Sequence, residues 1–212
     1  MKKTLKIENI LNYLDSIFPN PKCELNYKTD WQLLVSTILS AQCTDRQVNL
    51  VTPKLFKKYR TVSDFAKAEL IQLQELIYST GFYRNKAKNI IATAQLLLQN
   101  YNGVLPRNMA ELIKLPGVAR KTANILLGEY YNIQEGIAVD THVKCISNRL
   151  ALSKETTPEK IEKDLMKIFP KKIWTKISHQ IILFGRKICN ARVPDCKNCG
   201  LTKYCNYYKT KN

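Results

Sequence analysis

The 212-residue chain carries 34 lysines and arginines against 17 acidic residues, a formal charge of +17 and a pI near 9.6. That length buries a real core in one domain or two small ones. Charge of that size points to a polyanionic partner, nucleic acid foremost, although a lysine-rich composition alone gives the same excess. No stretch approaches the roughly 20 apolar residues of a membrane-spanning helix.

The opening MKKTLKIENILNYL is basic, but Lys6, Glu8 and Asn9 break its apolar run. It reads as an amphipathic helix, with Ile7, Ile10, Leu11, Leu14, Ile17 and Phe18 on one face, and not as an export signal. The expected compartment is therefore the reducing cytoplasm, and the seven cysteines are not a disulfide framework. Asp30 is placed to cap a helix carrying Trp31, Leu34, Val35 and Ile38. Thr44-Asp45 starts another, which Pro53 kinks or restarts. Ser63 and Gly81 bracket a helix–turn–helix passage. NKAKNIIATAQLLLQN follows as a strong amphipathic helix ended by Asn102-Gly103. NMAELIKL begins with Asn108 and Glu111 in capping-box spacing.

In KLPGVARKTANILL a helical run ends at Pro116-Gly117 and a new helix starts within three residues. Its open N–H groups around Gly117, Val118 and Ala119, with the helix dipole, form a site for a phosphate. Val118, Thr122 and Leu126 are expected to pack inward, as are Ala119, Ala123 and Leu127. Lys121 falls in the first turn beside Arg120, where the dipole disfavours an ammonium. Two readings follow: a phosphate-binding lysine or an amine activated for nucleophilic attack. Asp140, in AVDTHVKCISNRL, reads as a helix N-cap whose carboxylate stays ionised and rigid. Thr157, Pro158 and Glu159 form a further helix start. The stripe Ile173, Ile177, Ile181, Phe184 and Ile188 runs into the terminal cysteines. With no strand signal and no internal repeat, the chain reads as all-α, with about ten helices.

Four cysteines close the chain: Cys189, Cys196, Cys199 and Cys205 in CNARVPDCKNCGLTKYC. A polar, lysine-rich segment has no core in which to bury four thiols, so a metal site is indicated. Zinc usually takes paired C-x2-C elements, of which there is one here. Iron–sulfur groups also use four thiolates and tolerate wider spacing. Cys23, Cys43 and Cys145 lie outside this spacing and read as ordinary thiols.

Together with ILSAQCTD (38–45), GFYRNKAKNI (81–90), LPGVARKTA and VDTHV, this spacing resembles the endonuclease III family. Its members are helix–hairpin–helix DNA glycosylases with a [4Fe–4S] cluster, and the resemblance runs over nearly the whole chain. It implies a helical barrel domain over 23–135, with the hairpin at about 108–128. It also implies an iron–sulfur cluster domain formed by 1–22 with 136–212, the cluster loop at 189–205, and the active site in the cleft between them. The four terminal cysteines would hold the cluster, and Arg192, Lys197 and Lys203 would give its loop a DNA-facing charge.

The same resemblance implies that Lys121 attacks C1′ of the damaged nucleotide and that Asp140 is the essential aspartate. Gln42 would fill the gap left by the flipped nucleotide. Phe82, where relatives often have Leu, would wedge into the opposite strand, unless it simply packs in the core. His142 would orient the carboxylate, line the pocket or serve structure alone. Lys144 would replace part of the contact made by an Arg that relatives often carry at Cys145. Relatives often have Gly at Ala119. The implied activity is base-excision repair: removal of oxidised or ring-saturated pyrimidines from duplex DNA, then β-elimination at the abasic site through a lysine Schiff base. The enzyme would be a monomer in a prokaryotic cytoplasm, associated with the nucleoid through DNA. Two rivals stand beside this: a monofunctional mismatch glycosylase, which generally lacks the hairpin lysine, and a non-catalytic DNA-binding module, which gains nothing from Asp140 facing a polyanion.

Overall fold

Side-chain caps fix many of the helix starts. In the computed structural model, which describes residues 3–211, Thr29, Thr44, Thr61, Asn108 and Asp140 each turn an oxygen back onto an N–H of the following first turn. Each satisfies one of the donors that a helix start leaves open. Met1 and Lys2, part of the basic opening, lie outside the described residues, as does Asn212.

The helices are α1 (Lys3–Ile17), α2 (Asp30–Leu39), α3 (Asp45–Lys58), α4 (Val62–Ala66), α5 (Leu70–Ile77), α6 (Tyr83–Tyr101), α7 (Met109–Leu112), α8 (Arg120–Glu129), α9 (Thr141–Arg149), α10 (Pro158–Ile168), α11 (Trp174–Lys187) and α12 (Asn206–Lys211). Single 3₁₀ turns occupy Tyr78–Thr80, Lys171–Ile173 and Thr202–Tyr204. The described residues are thus all-helical without strands. The twelve helices exceed the ten expected because short pieces such as α4, α7 and α12 carry too few residues to show a period.

Several local readings are corrected. Thr29, one residue earlier and in extended conformation, caps α2. Asp30 is already helical, and its carboxylate accepts from the Trp31 N–H at 2.7 Å and the Tyr131 hydroxyl at 2.5 Å. Pro53 sits inside a continuous α3 and restarts nothing. Asn108 accepts from the Glu111 N–H at 2.9 Å, but Glu111 does not reach back. Its carboxylate takes the Tyr101 hydroxyl at 2.5 Å and Lys114 at 2.7 Å instead. The reciprocal box forms between Thr61 and Asp64.

The chain divides into two units, residues 24–135 and residues 1–23 with 136–212. In the continuous unit, Leu33, Leu34, Leu55, Leu73, Ile77, Ile90 and Leu97 are fully buried, as is Phe65, whose ring meets Trp31 edge-on at 5.4 Å. In the discontinuous unit, Ile10 and Leu14 of α1 join Val143, Ile146, Leu165, Ile177, Ile181 and Phe184 in one core. Polar ties hold the two chain ends together there. Gln180 donates to Asp15 at 2.7 Å and to the Phe18 carbonyl at 3.0 Å, Lys176 pairs with Asp15 at 2.6 Å, and Lys6 donates to the Leu150 carbonyl at 2.5 Å. Helix α9 approaches α11 closely at Gly185, where an added Cβ would stand 2.9 Å from His142 and from Ile146.

Two outcomes follow. Gly185→Ala must push α9 away and should lose about 1–3 kcal/mol in chemical denaturation. The bond from Lys176, joined by that from Gln180, holds the Asp15 carboxyl below its ordinary range. Its contribution is therefore present above about pH 4 and lost as pH falls through the folded value. Asp15→Asn should remove that part of the acid-induced loss, read from denaturation midpoints between neutral and acid pH.

Candidate functional site

The hairpin is built from below by α6. Gly117 has φ +76°, and a Cβ there would meet the Asn89 side chain at 2.9 Å. The Thr93 hydroxyl donates to the Pro116 carbonyl at 2.8 Å. Both conditions favour glycine: the left-handed backbone conformation and the absence of room. Helix α8 starts at Arg120, with Ala119 as an extended N-cap that makes no side-chain capping bond. Its first turn therefore carries donors that no residue of the helix can accept from. Lys121 lies in that turn and is exposed.

Two expectations change here. The Val118 N–H is not open, because it donates to the Leu115 carbonyl at 3.1 Å and closes the turn. Ala119 is exposed where inward packing was expected, since α8 begins only after it. Val118, Ala123, Leu126 and Leu127 do pack inward, and Thr122 is half-buried.

Gln42 and Phe82 belong to the same unit and share an unusual backbone. Both are exposed, Phe82 at 62%, and both take positive φ, +53° and +47°. For side-chain-bearing residues such conformations cost about 1–3 kcal/mol and gather at functional positions. Phe82 thus stands out of the core, with the rings of its neighbours Tyr78 and Tyr83 in tilted contact, centroids 4.8 Å apart. Behind the two turns lies Lys86, only 5% exposed, whose ammonium donates to the carbonyls of Leu39 and Thr80, each at 2.8 Å. Burial draws its pKa below the ordinary lysine value. Gln47 adds a bond to the Ser79 hydroxyl at 2.7 Å.

In the discontinuous unit, Asp140 caps α9 by accepting from the Val143 N–H at 2.8 Å. His142 is half-buried over Gly185, and Lys144 is exposed. Cys189, Cys196, Cys199 and Cys205 line one small cavity with Pro194, Tyr207 and Tyr208. Arg149, 9% exposed, reaches this loop from α9. It donates to the Cys189 sulfur at 3.2 Å and to the carbonyls of Asn190 at 3.0 Å and Ala191 at 2.8 Å. Its guanidinium lies 4.3 Å from the Tyr207 ring. The Tyr208 N–H points at the Cys205 sulfur at 3.4 Å. Burial pushes the Cys189 and Cys199 thiols up, while Arg149 and the Leu201 N–H respectively pull them back. Four soft donors around one cavity, with N–H groups aimed at the sulfurs, form a set that fits a thiolate-bound metal group. Among the described residues, no three His, Cys, Asp or Glu side chains stand close enough together to hold a single ion.

Asn89, Thr93, Lys86 and Arg149 escaped the sequence reading. In a chain of 34 cations, an inward-turned Lys or Arg looks like any other. The only available signal was position: Arg149 ends α9 on the side that carries Val143 and Ile146, and Asn89 and Lys86 lie within GFYRNKAKNI.

The sequence matches the HhH-GPD superfamily of base excision DNA repair proteins over residues 35–171. Endonuclease III of Synechocystis sp. is 48% identical over 203 residues, covering 96% of this chain and 93% of its own. The chain belongs to the endonuclease III family. The solved structure of a non-covalent endonuclease III–DNA complex superposes with a TM-score of 0.95 at 42% identity, covering 100% of this chain and 99% of that one. A trapped endonuclease III–DNA covalent intermediate, an estranged-adenine complex, gives the same values, a TM-score of 0.95 at 42% identity with 100% and 99% covered. The fold is accordingly that of the helix–hairpin–helix glycosylases. The activity is that of the family: base-excision DNA repair by a DNA glycosylase and abasic-site lyase.

Gly117→Ala meets both the positive φ and the Asn89 side chain. It should cost about 1–3 kcal/mol in denaturant unfolding and weaken binding to abasic-site duplex in a fluorescence anisotropy titration.

Proposed function

We propose that this enzyme removes oxidised or ring-saturated pyrimidines from duplex DNA, with Lys121 as nucleophile and Asp140 as the assisting carboxylate. One observation carries the reading. An exposed lysine stands in the first turn of the helix that follows a glycine turn, and a relative 42% identical over this whole chain is trapped covalently on DNA. DNA is the partner that the +17 charge favours, and the chromosome places the enzyme in a prokaryotic cytoplasm, where it acts as a monomer.

In this reading the amides of Gly117 and Ala119 take a phosphate at the hairpin. The Lys121 amine forms a bond to C1′ as the glycosidic bond breaks, and the base leaves with the bonding pair and gains a proton. The aminal then opens to a Schiff base. Loss of a C2′ proton expels the 3′ phosphate by β-elimination, and water releases the amine. Asp140 is held in place by its bond to the Val143 N–H. It stabilises positive charge developing on the sugar or assists proton transfer. Gln42 and Phe82 enter the stack around the extruded nucleotide. Lys144 contacts the backbone, while His142 supports α9 against Gly185.

Cys189, Cys196, Cys199 and Cys205 would hold a [4Fe–4S] cluster, which supplies cross-links that stiffen the 189–205 loop. Arg149 anchors the start of that loop, and Arg192, Lys197 and Lys203 give it positive charge. The units 24–135 and 1–23 with 136–212 would then be the barrel and cluster domains.

Borohydride reduction tests the chemistry. Wild type should give a covalent adduct with thymine-glycol duplex and with abasic duplex, and Lys121→Ala should give neither while still binding. Asp140→Asn should keep binding and lower single-turnover base release by about 100-fold or more. An adduct that survives in Lys121→Ala would remove the nucleophile assignment.

A further inference from the structure

The role of Lys86 is not explained by DNA contact, because its ammonium is buried. Nor is it explained by packing, since methionine fills similar volume without the cost of burying a charge. Its two acceptors have something in common. Leu39 ends α2, three residues before Gln42, and Thr80 ends the 3₁₀ turn, two residues before Phe82. The carbonyl at each element's end has no onward partner in its own helix, and at the end of α2 a cation is favoured by the dipole as well. The two turns that follow hold their exposed side chains at positive φ.

We propose that Lys86 is a positioning residue: its ammonium ties the carbonyl of Leu39 to that of Thr80 and so fixes the spacing at which Gln42 and Phe82 enter the duplex. This rests on the reading that those two side chains insert. Two charge-assisted bonds to one nitrogen make the two turns a single rigid unit. Gln47 on Ser79 supports the same junction from α3. Without the tie each turn can relax, and a misplacement of about 1 Å is enough to lose about 100-fold in rate.

The test uses full-length enzyme carrying Lys86→Met, with Gln42→Ala and Phe82→Ala as references. Three readouts are compared: excision of thymine glycol from duplex, fluorescence of 2-aminopurine opposite the lesion, and borohydride trapping on a single-stranded abasic oligonucleotide, which has no stack to open. Folded Lys86→Met should trap single strand within about twofold of wild type, yet lose about 10- to 100-fold in duplex excision together with the fluorescence rise. In a Phe82→Ala background the same change should cost much less, because the two act as a unit. If Lys86→Met does not fold, Lys86→Gln is read the same way, its neutral and shorter arm reaching one carbonyl.

Wild-type duplex excision and fluorescence in a folded variant would overturn the tie. So would an equal loss on both substrates, the mark of a merely structural role. If Gln42→Ala and Phe82→Ala are defective and the lysine variants are not, the tie alone fails. If both references are silent, the insertion reading fails and takes the tie with it.

Discussion

At Gly117 the backbone takes a φ of +76° with the Asn89 side chain packed where a Cβ would stand, and the hairpin is arranged around that point. The turn needs a residue without a side chain, and α6 supplies the surface against which it closes. Thr93 fixes the Pro116 carbonyl and the Val118 amide closes on Leu115, so the turn sets the direction in which α8 leaves. Lys121 inherits its exposure from that direction. A backbone constraint at one residue thus sets where an amine is presented four residues later.

Where signals are local, the sequence was a good guide. Thr44, Asn108 and Asp140 cap helices as their side chains suggest, and Asn102 ends α6 in left-handed conformation. Errors of one residue came from competing caps, as at Thr29 and Asp30, because two adjacent oxygens satisfy the same pattern. What stayed illegible is long-range. Neither Gln42 nor Phe82 carries the Gly or Asn signature of positive φ, so nothing local announces their conformation. Arg149 meets Cys189 across 40 residues, a pairing that no periodicity reports. The roles drawn from family motifs depend on comparison, because an exposed lysine at a helix start has the same local physics whether it binds phosphate or attacks carbon.

The cations divide into two populations that net charge cannot distinguish. Most face outward and supply the long-range attraction for a polyanion. Lys86 and Arg149 face inward and bond to backbone carbonyls, Lys86 to those that end α2 and a 3₁₀ turn and Arg149 to those of the cysteine loop. One stands under the turns of Gln42 and Phe82 and the other under the cysteine loop, so inward cations hold the backbone of segments whose surfaces carry outward side chains.

The composition of the discontinuous unit affects how the chain is born. Helix α1 is made long before its partners, and Asp15 finds Gln180 only when a residue 165 positions further along the chain has been made. At translation speeds of about 5–20 residues per second, that is a delay of roughly ten to thirty seconds. Residues 24–135 form a contiguous unit and have all their own partners well before then. Meanwhile Ile10 and Leu14, fully covered in the finished molecule, have no core to enter. The amphipathic face of α1 is thus a nascent-chain liability of the kind that holdase chaperones cover, and α9 to α11, made much later, are the helices that end its exposure.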